Sequence, residues 1–399
     1  MVPWKTERYI RTMVMALACQ STWDVCVSQD LDSLVRHAIS YSRDQLKKSV
    51  TALQDSVVYP RTTGPDGSWK SVKPGDWTAG FFPGCLWLAS EMTGDTDLGT
   101  AARKWTAGLE SQQWNTRTHD VGFVMMTSFG NELRRYPSEQ CKQVMLQGAR
   151  SLSTRFNPVV GCIKSWDNRK WLFPVIIDNM MNLELLFWAS KNGGSREHYN
   201  QAVSHALKTT QNHVRADGGT YHVVSYDTTT GKVLARQTHQ GFADESAWSR
   251  GQAWAIYGFT MAYRESGDER FLTTAQRVAD YFIARLPEDS VPYWDFQAPH
   301  IPNEERDASA ASIACSGLFE LSSLTKDRTL ATRYRSTAKN ILASLCGPPY
   351  LSEGTPSMGI LNHATGSRPA NSEVDVSLIY GDYYFLEAIS RYQRDSIGH

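Results

Sequence analysis

The sequence predicts an all-α fold, a ring of six helical hairpins of the (α/α)6 barrel type, with a small β-hairpin in one long loop. Three observations predict it. Apolar residues recur at helical spacing in about twelve segments. Tight glycine turns join alternate neighbours. Long polar connections fill the remaining joints, which gathers them on one face of the ring and makes that face the place to seek function.

The helical segments lie near 31–53, 80–92, 96–115, 121–134, 138–155, 177–191, 196–214, 248–267, 268–285, 307–324, 326–346 and 374–394. In 138–155, Met145, Ala149 and Leu152 form one apolar stripe, and in 326–346 Leu330, Tyr334, Ala338, Ile341 and Leu345 form another. Thr93-Gly94-Asp95, Gly193-Gly194-Ser195 and Ser266-Gly267-Asp268 each place a glycine stop before an aspartate or serine N-cap. The long connections cover 54–79, 156–176, 215–247, 286–306 and 347–373, with a shorter one at 116–120. Within 219–239, the stretches from Tyr221 to Tyr226 and from Val233 to Arg236 flank Thr228-Thr229-Thr230-Gly231 and read as the β-hairpin.

Residues 31–399 form one barrel domain, and 1–30 an N-terminal extension. There Lys5, Arg8 and Arg11 precede the apolar run Met13 to Ala18 and then Cys19. This reads either as a weak secretory or lipoprotein signal or as an unstructured start, so cytoplasmic and periplasmic locations both stay open. No other apolar segment approaches the roughly 18 residues that span a bilayer.

Lysine plus arginine total 41, as do aspartate plus glutamate. No global field therefore draws nucleic acid or an anionic membrane, and an anionic ligand must be met locally. Cys19, Cys26, Cys85, Cys141, Cys162, Cys315 and Cys346 are scattered, with no C-x-x-C pair, and give neither a disulfide framework nor a zinc site. The histidines contain no H-x-H or H-E-x-x-H, so no metal or other cofactor is expected.

The polar clusters fall at the loop face: Asp76 to Gly84, His119 to Phe123, Ile177 to Asn182, His239 to Trp254 and Glu305 to Ser309. Alternate helices aim their N-termini there, a field that favours an anion. The block 239–254 crowds together His239, Gln240, Trp248, Arg250, Gln252 and Trp254, a set suited to stacking on a sugar ring and pairing with its carboxylate.

Each residue also has an ordinary structural reading. Singly, Asp120 and Asp178 read as N-caps, Arg250 as the partner of Asp244 or Glu245, and Arg306 as the partner of Asp307. Trp77, Trp248 and Trp254 could be core, and His119 could satisfy a loop carbonyl. As a pair the aspartates read as catalytic. Asp178 lies among Val175, Ile176, Ile177, Met180 and Met181, a setting that raises a carboxyl pKa and keeps the proton a general acid needs.

From about residue 30 onward the chain resembles the unsaturated glucuronyl hydrolases of glycoside hydrolase family 88. The resemblance rests on Trp77 to Gly84, His119 to Phe123, Ile177 to Asn182, the block 239–254, and Tyr380 to Ala388. It implies the (α/α)6 barrel. It also implies hydration of the C4=C5 enol ether that polysaccharide lyases leave on a non-reducing-end uronate, instead of direct displacement between two carboxylates. On this resemblance Asp178 is the general acid and base, and Asp120 the second essential aspartate. Trp77, Trp248 and Trp254 are aromatic walls, and Arg250 lies near the uronate carboxylate. His119, His222, His239, Gln240 and Tyr380 are further substrate-binding residues. The expected partner is a small oligosaccharide bearing an unsaturated uronate, and the oligomeric state is not read.

Members that prefer sulfated glycosaminoglycan disaccharides carry a serine- and lysine-rich loop where this chain has Asn362 to Pro369, with Arg368 as the only nearby cation. Chondroitin, hyaluronan, heparin-type, ulvan and gellan aglycones all stay open. Three other readings also stand: a conventional inverting glycosidase, an unsaturated rhamnogalacturonyl hydrolase on the same barrel, and a uronate-binding barrel without turnover.

Overall fold

Two kinds of helix alternate along the chain, and burial tells them apart. The computed structural model describes residues 31–54 and 56–397. Outer helices, apolar on one stripe, are α1 (31–53), α3 (Thr96–Ala107), α6 (Glu139–Ser153), α8 (Arg196–Asn212), α10 (Glu269–Ile283) and α12 (Arg328–Leu345). Inner helices are α2 (Phe81–Thr93), α4 (Val121–Met125) continued through a π turn into α5 (Asn131–Arg135), α7 (Asn179–Lys191), α9 (Ser249–Ser266), α11 (Ala308–Leu324) and α13 (Ile379–Ile397). In α9 every residue from Ser249 to Ala262 is buried, as expected of a helix packed on all sides. The inner helices touch in sequence order and α13 closes the ring on α2. The sixth pair is tied by the Tyr392 hydroxyl of α13, which donates to Asp32 of α1 at 2.6 Å.

Gly94 (φ 72°) and Gly267 (φ 71°) end α2 and α9 in the left-handed region, where glycine carries no Cβ penalty. Asp95 then accepts from the Asp97 and Leu98 amides, and Asp268 from that of Arg270. Ser195 does not cap α8 with its side chain. That joint is closed by the backbone, through the Gly194 amide donating to the Ala189 carbonyl at 2.8 Å.

Two helices are shorter than their pattern. The segment expected over 96–115 stops at Ala107, and Glu110–Trp114 forms a separate 3-10 turn. The one expected to begin at 374 begins at Ile379, because bridges from Val376 to Ala364 and from Leu378 to Thr62 hold the preceding chain extended. There is also more β structure than one hairpin. β1 (Tyr59–Thr63) pairs with β2 (Trp69–Val72), and β3 (Phe156–Asn157) with β4 (Cys162–Ile163). The expected hairpin, β6 (Val223–Tyr226) with β7 (Val233–Gln237), is joined antiparallel by β5 (Pro174–Ile176). All of these strands lie in the long connections.

Among the described residues, Cys85, Cys141, Cys162, Cys315 and Cys346 are free and buried. No described helix is long and apolar enough to cross a membrane, and no described group of three or more His, Cys, Asp or Glu side chains is placed to hold a metal ion. The signal-like segment with Cys19, and Cys26, lie outside the described residues.

Candidate active site

Gly122 sets the geometry of the site. A Cβ there would collide with the Cα and side chain of Asn182, so only glycine lets the start of α4 lie against α7. That contact brings the residues preceding both helices, Asp120 and Asp178, to one cavity of about 320 Å³.

The same contact builds a directed hydrogen-bond relay. The Phe123 amide donates to Oδ1 of Asn182 at 2.8 Å, which turns the Asn182 amide group toward Nδ1 of His119 at 3.3 Å. Burial holds the His119 pKa down, so the ring is neutral and its remaining proton sits on Nε2, 3.3 Å from Oδ1 of Asp120. The Thr118 hydroxyl donates to Oδ2 of Asp120 at 2.7 Å. Asp120 occupies an N-cap position without capping, since its oxygens face this relay.

Asp178 also stands at an N-cap position without capping its helix. Its side chain is 14 % exposed, and burial pushes its pKa up from 3.8 to about 7. The charge of Asp120 pushes the same way and that of Arg250 opposes it. His222 Nε2 lies 3.8 Å from Oδ2 of Asp178. The His239 and Gln240 amides donate to His222 Nδ1 at 3.2 and 3.3 Å, and burial holds this ring neutral, so its proton is on Nε2, facing Asp178. Oδ2 of Asp178, Nε2 of His222 and Nε1 of Trp254 are buried without hydrogen-bond partners. Unpaired polar atoms cost about 1–3 kcal/mol each, so such a group at a cavity floor marks where a substrate or water is received.

Arg250 enters from the first turn of α9 and is 1 % exposed. Its expected partners Asp244 and Glu245 are not used. Nη1 bonds Asp307 at 2.7 Å and the Thr365 carbonyl, and Nη2 bonds the Gly366 carbonyl. Asp307 therefore does not pair with Arg306. It is buried, caps α11 and serves Arg250, while Arg306 reaches out to Asp289 at 3.0 Å. Arg250 still lines the cavity, with its donors largely committed to fixing the 365–366 segment.

Of the expected aromatic residues, Trp77 and Tyr380 line the cavity, their rings tilted by 35° with centroids 4.9 Å apart. Trp248 and Trp254 do not line it. Trp248 stacks on His222 at 4.5 Å beneath Arg250, and Trp254 packs edge-on against Phe123 and Tyr384. Trp254 nonetheless stands beside Asp178, and its indole N–H helps to stabilise the charged form of that carboxyl group. His119, His239 and Gln240 line the cavity, and His222 stands behind His239 and Gln240. Sequence reasoning missed Trp166, whose ring meets His222 and His239 edge-on, and Arg61 of β1, held by Glu373 at 2.6 Å and Asp76 at 2.9 Å. A tryptophan in a polar loop of the functional face is a usable signal for Trp166; Arg61 gives none. Arg368 is not the only cation near its loop, because Arg61 reaches that loop through Glu373.

No protein-family model matches the sequence. Over 324 residues the chain is 48% identical to an unsaturated glucuronyl hydrolase of Formosa agariphila, covering 80% of each protein. The chain belongs to the unsaturated glucuronyl hydrolases, glycoside hydrolase family 88. It is thus a glycoside hydrolase, and the conventional inverting glycosidase and the barrel without turnover are set aside. This hydrolase is also similar to the crystal structure of an unsaturated glucuronyl hydrolase specific for heparin, with a TM-score of 0.88 and 41% identity over 92% of this chain and 98% of that one. It matches the hydrolase of Streptococcus agalactiae in complex with unsaturated glucuronic acid linked to 6-sulfated N-acetylgalactosamine, with a TM-score of 0.78 and 30% identity, covering 90% of this chain and 92% of that one. The six-hairpin ring is the architecture these hydrolases share.

Proposed function

We propose that Asp178 protonates C4 of a 4,5-unsaturated uronate at the non-reducing end of a glycosaminoglycan-derived oligosaccharide, and that this starts the hydrolysis. The observation that carries the reading is the pKa of about 7 on a carboxyl group whose Oδ2 has no partner. A proton donor at neutral pH needs that value. The enol ether gives up its π electrons to the new C4–H bond, and the cation formed at C5 is shared with the ring oxygen. Water then adds at C5 and returns a proton to Asp178. The hemiketal opens by cleavage of its bond between C5 and the ring oxygen, and the hemiacetal left at C1 releases the aglycone.

Asp120 serves as the fixed negative partner, held by Thr118 and the His119 relay, and raises the proton affinity of Asp178. His222 donates its Nε2 proton to the water that reaches Asp178. Trp77, with Tyr380 packed against it, forms one aromatic wall beside the flat unsaturated ring, while Gln240 and His239 contact its polar edge. Arg250 contributes charge toward the uronate carboxylate and holds the 365–366 segment in place. The glycosaminoglycan aglycone is supported by the heparin-specific and chondroitin-disaccharide relatives. Incubation of lyase products with the protein tests the reading: ultraviolet absorbance of the conjugated double bond should disappear, and persistence of that absorbance contradicts it.

A further inference from the structure

The connection from α3 to α4 carries the most exposed large apolar side chain among the described residues. Trp114 ends the 3-10 turn Glu110–Trp114 and is 65 % exposed. Its ring meets no other described ring and no described cation, and its indole N–H has no described partner. The backbone beneath it is nevertheless fixed on both sides. The Gln113 carbonyl accepts from the Ser151 hydroxyl at 2.5 Å, and the Thr116 carbonyl from Nη1 of Arg155 at 2.9 Å. The turn is also closed on itself, because Asn115 donates its Nδ2 to Oε1 of Gln112 at 3.1 Å and accepts the Arg117 amide at 3.0 Å. A flat apolar face held rigidly in water is a stacking surface that loses little freedom when a ligand covers it.

Trp114 stands in an open groove of about 480 Å³, within the range of small-ligand sites, together with Gly75, Gln112, Asn115, Arg117 and Thr118. None of the residues lining this groove lines the catalytic cavity. Arg117 is exposed, and its guanidinium forms no ion pair or hydrogen bond with a described residue. An indole face suits the C–H face of a pyranose ring, side-chain amides suit its hydroxyls, and an unpaired guanidinium suits a carboxylate or sulfate carried on the same sugar. The three lie together here.

We propose that this groove is a second carbohydrate site, which holds interior, saturated stretches of an acidic polysaccharide independently of the catalytic cavity. Interior sugars have no C4=C5 bond, so they are bound without being turned over. The enzyme is thereby kept on the polymer whose lyase-cut ends it consumes. The choice of an acidic polysaccharide rests on the substrate reading given above.

Native electrophoresis through gels containing intact chondroitin sulfate or intact heparin, neither cut by a lyase, tests the proposal. The wild type should be retarded by at least one of them, and Trp114→Ala and Arg117→Gln should each weaken that binding by about tenfold. Both substitutions are at exposed positions and should leave the melting temperature and kcat/KM on an unsaturated disaccharide unchanged. In an Asp178→Asn background, an excess of unsaturated disaccharide should not release the polymer. Absence of retardation, retardation unmoved by Trp114→Ala, or displacement of the polymer by the disaccharide overturns the proposal while leaving the hydrolysis reading intact. Failure of the wild type to consume the disaccharide overturns the catalytic reading alone, because retardation by intact polymer is read without turnover.

Discussion

His222 presents a protonated Nε2 to Oδ2 of Asp178 across 3.8 Å, and the proton is on that nitrogen because two backbone amides occupy Nδ1. The separation is too long for a hydrogen bond, so both atoms remain free for a ligand. The pair joins the block 239–254 to the Asp178 carboxyl group: the backbone of His239 and Gln240 fixes the imidazole, and Trp248 packs against its face.

The pH dependence of kcat/KM should show its alkaline limb near pH 7. The reactive form of Asp178 is protonated, and its pKa is about 7, so the rate should fall by about tenfold per pH unit above that. Initial rates on an unsaturated disaccharide across pH 5–9 check this; a limb near pH 4 would remove Asp178 from the acid role.

Asp178→Asn should lower kcat by about a thousandfold while substrate still binds. It should also change stability in a pH-dependent way. The folded-state pKa of Asp178 lies above 3.8, so the folded chain holds an extra proton between that value and about 7. Stability from this group is complete below about pH 4, falls by up to about 1.4 kcal/mol per pH unit as pH rises, and levels off above the folded pKa. The substitution should therefore raise the melting temperature by about 2 °C or more at pH 8 and by less at pH 5. Calorimetry at both values checks the difference.

Gly122→Ala should destabilise the protein by about 1–3 kcal/mol, because the added methyl meets the backbone of Asn182. It should also reduce activity, since the relay to Asp120 depends on the same contact. Chemical denaturation and steady-state rates measure the two effects.

Arg250→Met should cost about 3–5 kcal/mol, because Asp307 would be left as a buried, unpaired charge. Arg250→Lys should recover little, as a single ammonium cannot serve Asp307 and the Thr365 and Gly366 carbonyls with the same planar fork. Denaturation midpoints of the two variants distinguish the loss of charge from the loss of geometry.

The helices were legible because their stripes carry the 3.6 period: Tyr334, Ala338, Ile341 and Leu345 are all fully buried. The strands were less so. β5 spans three residues, too few for a period-2 signal, and it forms by pairing with β6 some fifty residues away. The alternation of Val374, Val376 and Leu378 was an extended signal absorbed into the helix pattern that follows. At the site, motifs placed before inner helices led to Asp120, Asp178, Trp77 and Arg250 on one cavity. Trp248 lies against His222 and Trp254 beside Asp178, a placement that a one-dimensional pattern does not give. Arg61 and Glu373 meet only through folding, since 312 residues separate them.

The most direct test of the central claim is hydrolysis in heavy water, with the uronate-derived product examined by nuclear magnetic resonance. Protonation of C4 by the exchangeable carboxyl of Asp178 predicts one deuterium at C4 for each aglycone released. Release of the aglycone with C4 unlabelled would contradict hydration of the double bond and the role assigned to Asp178.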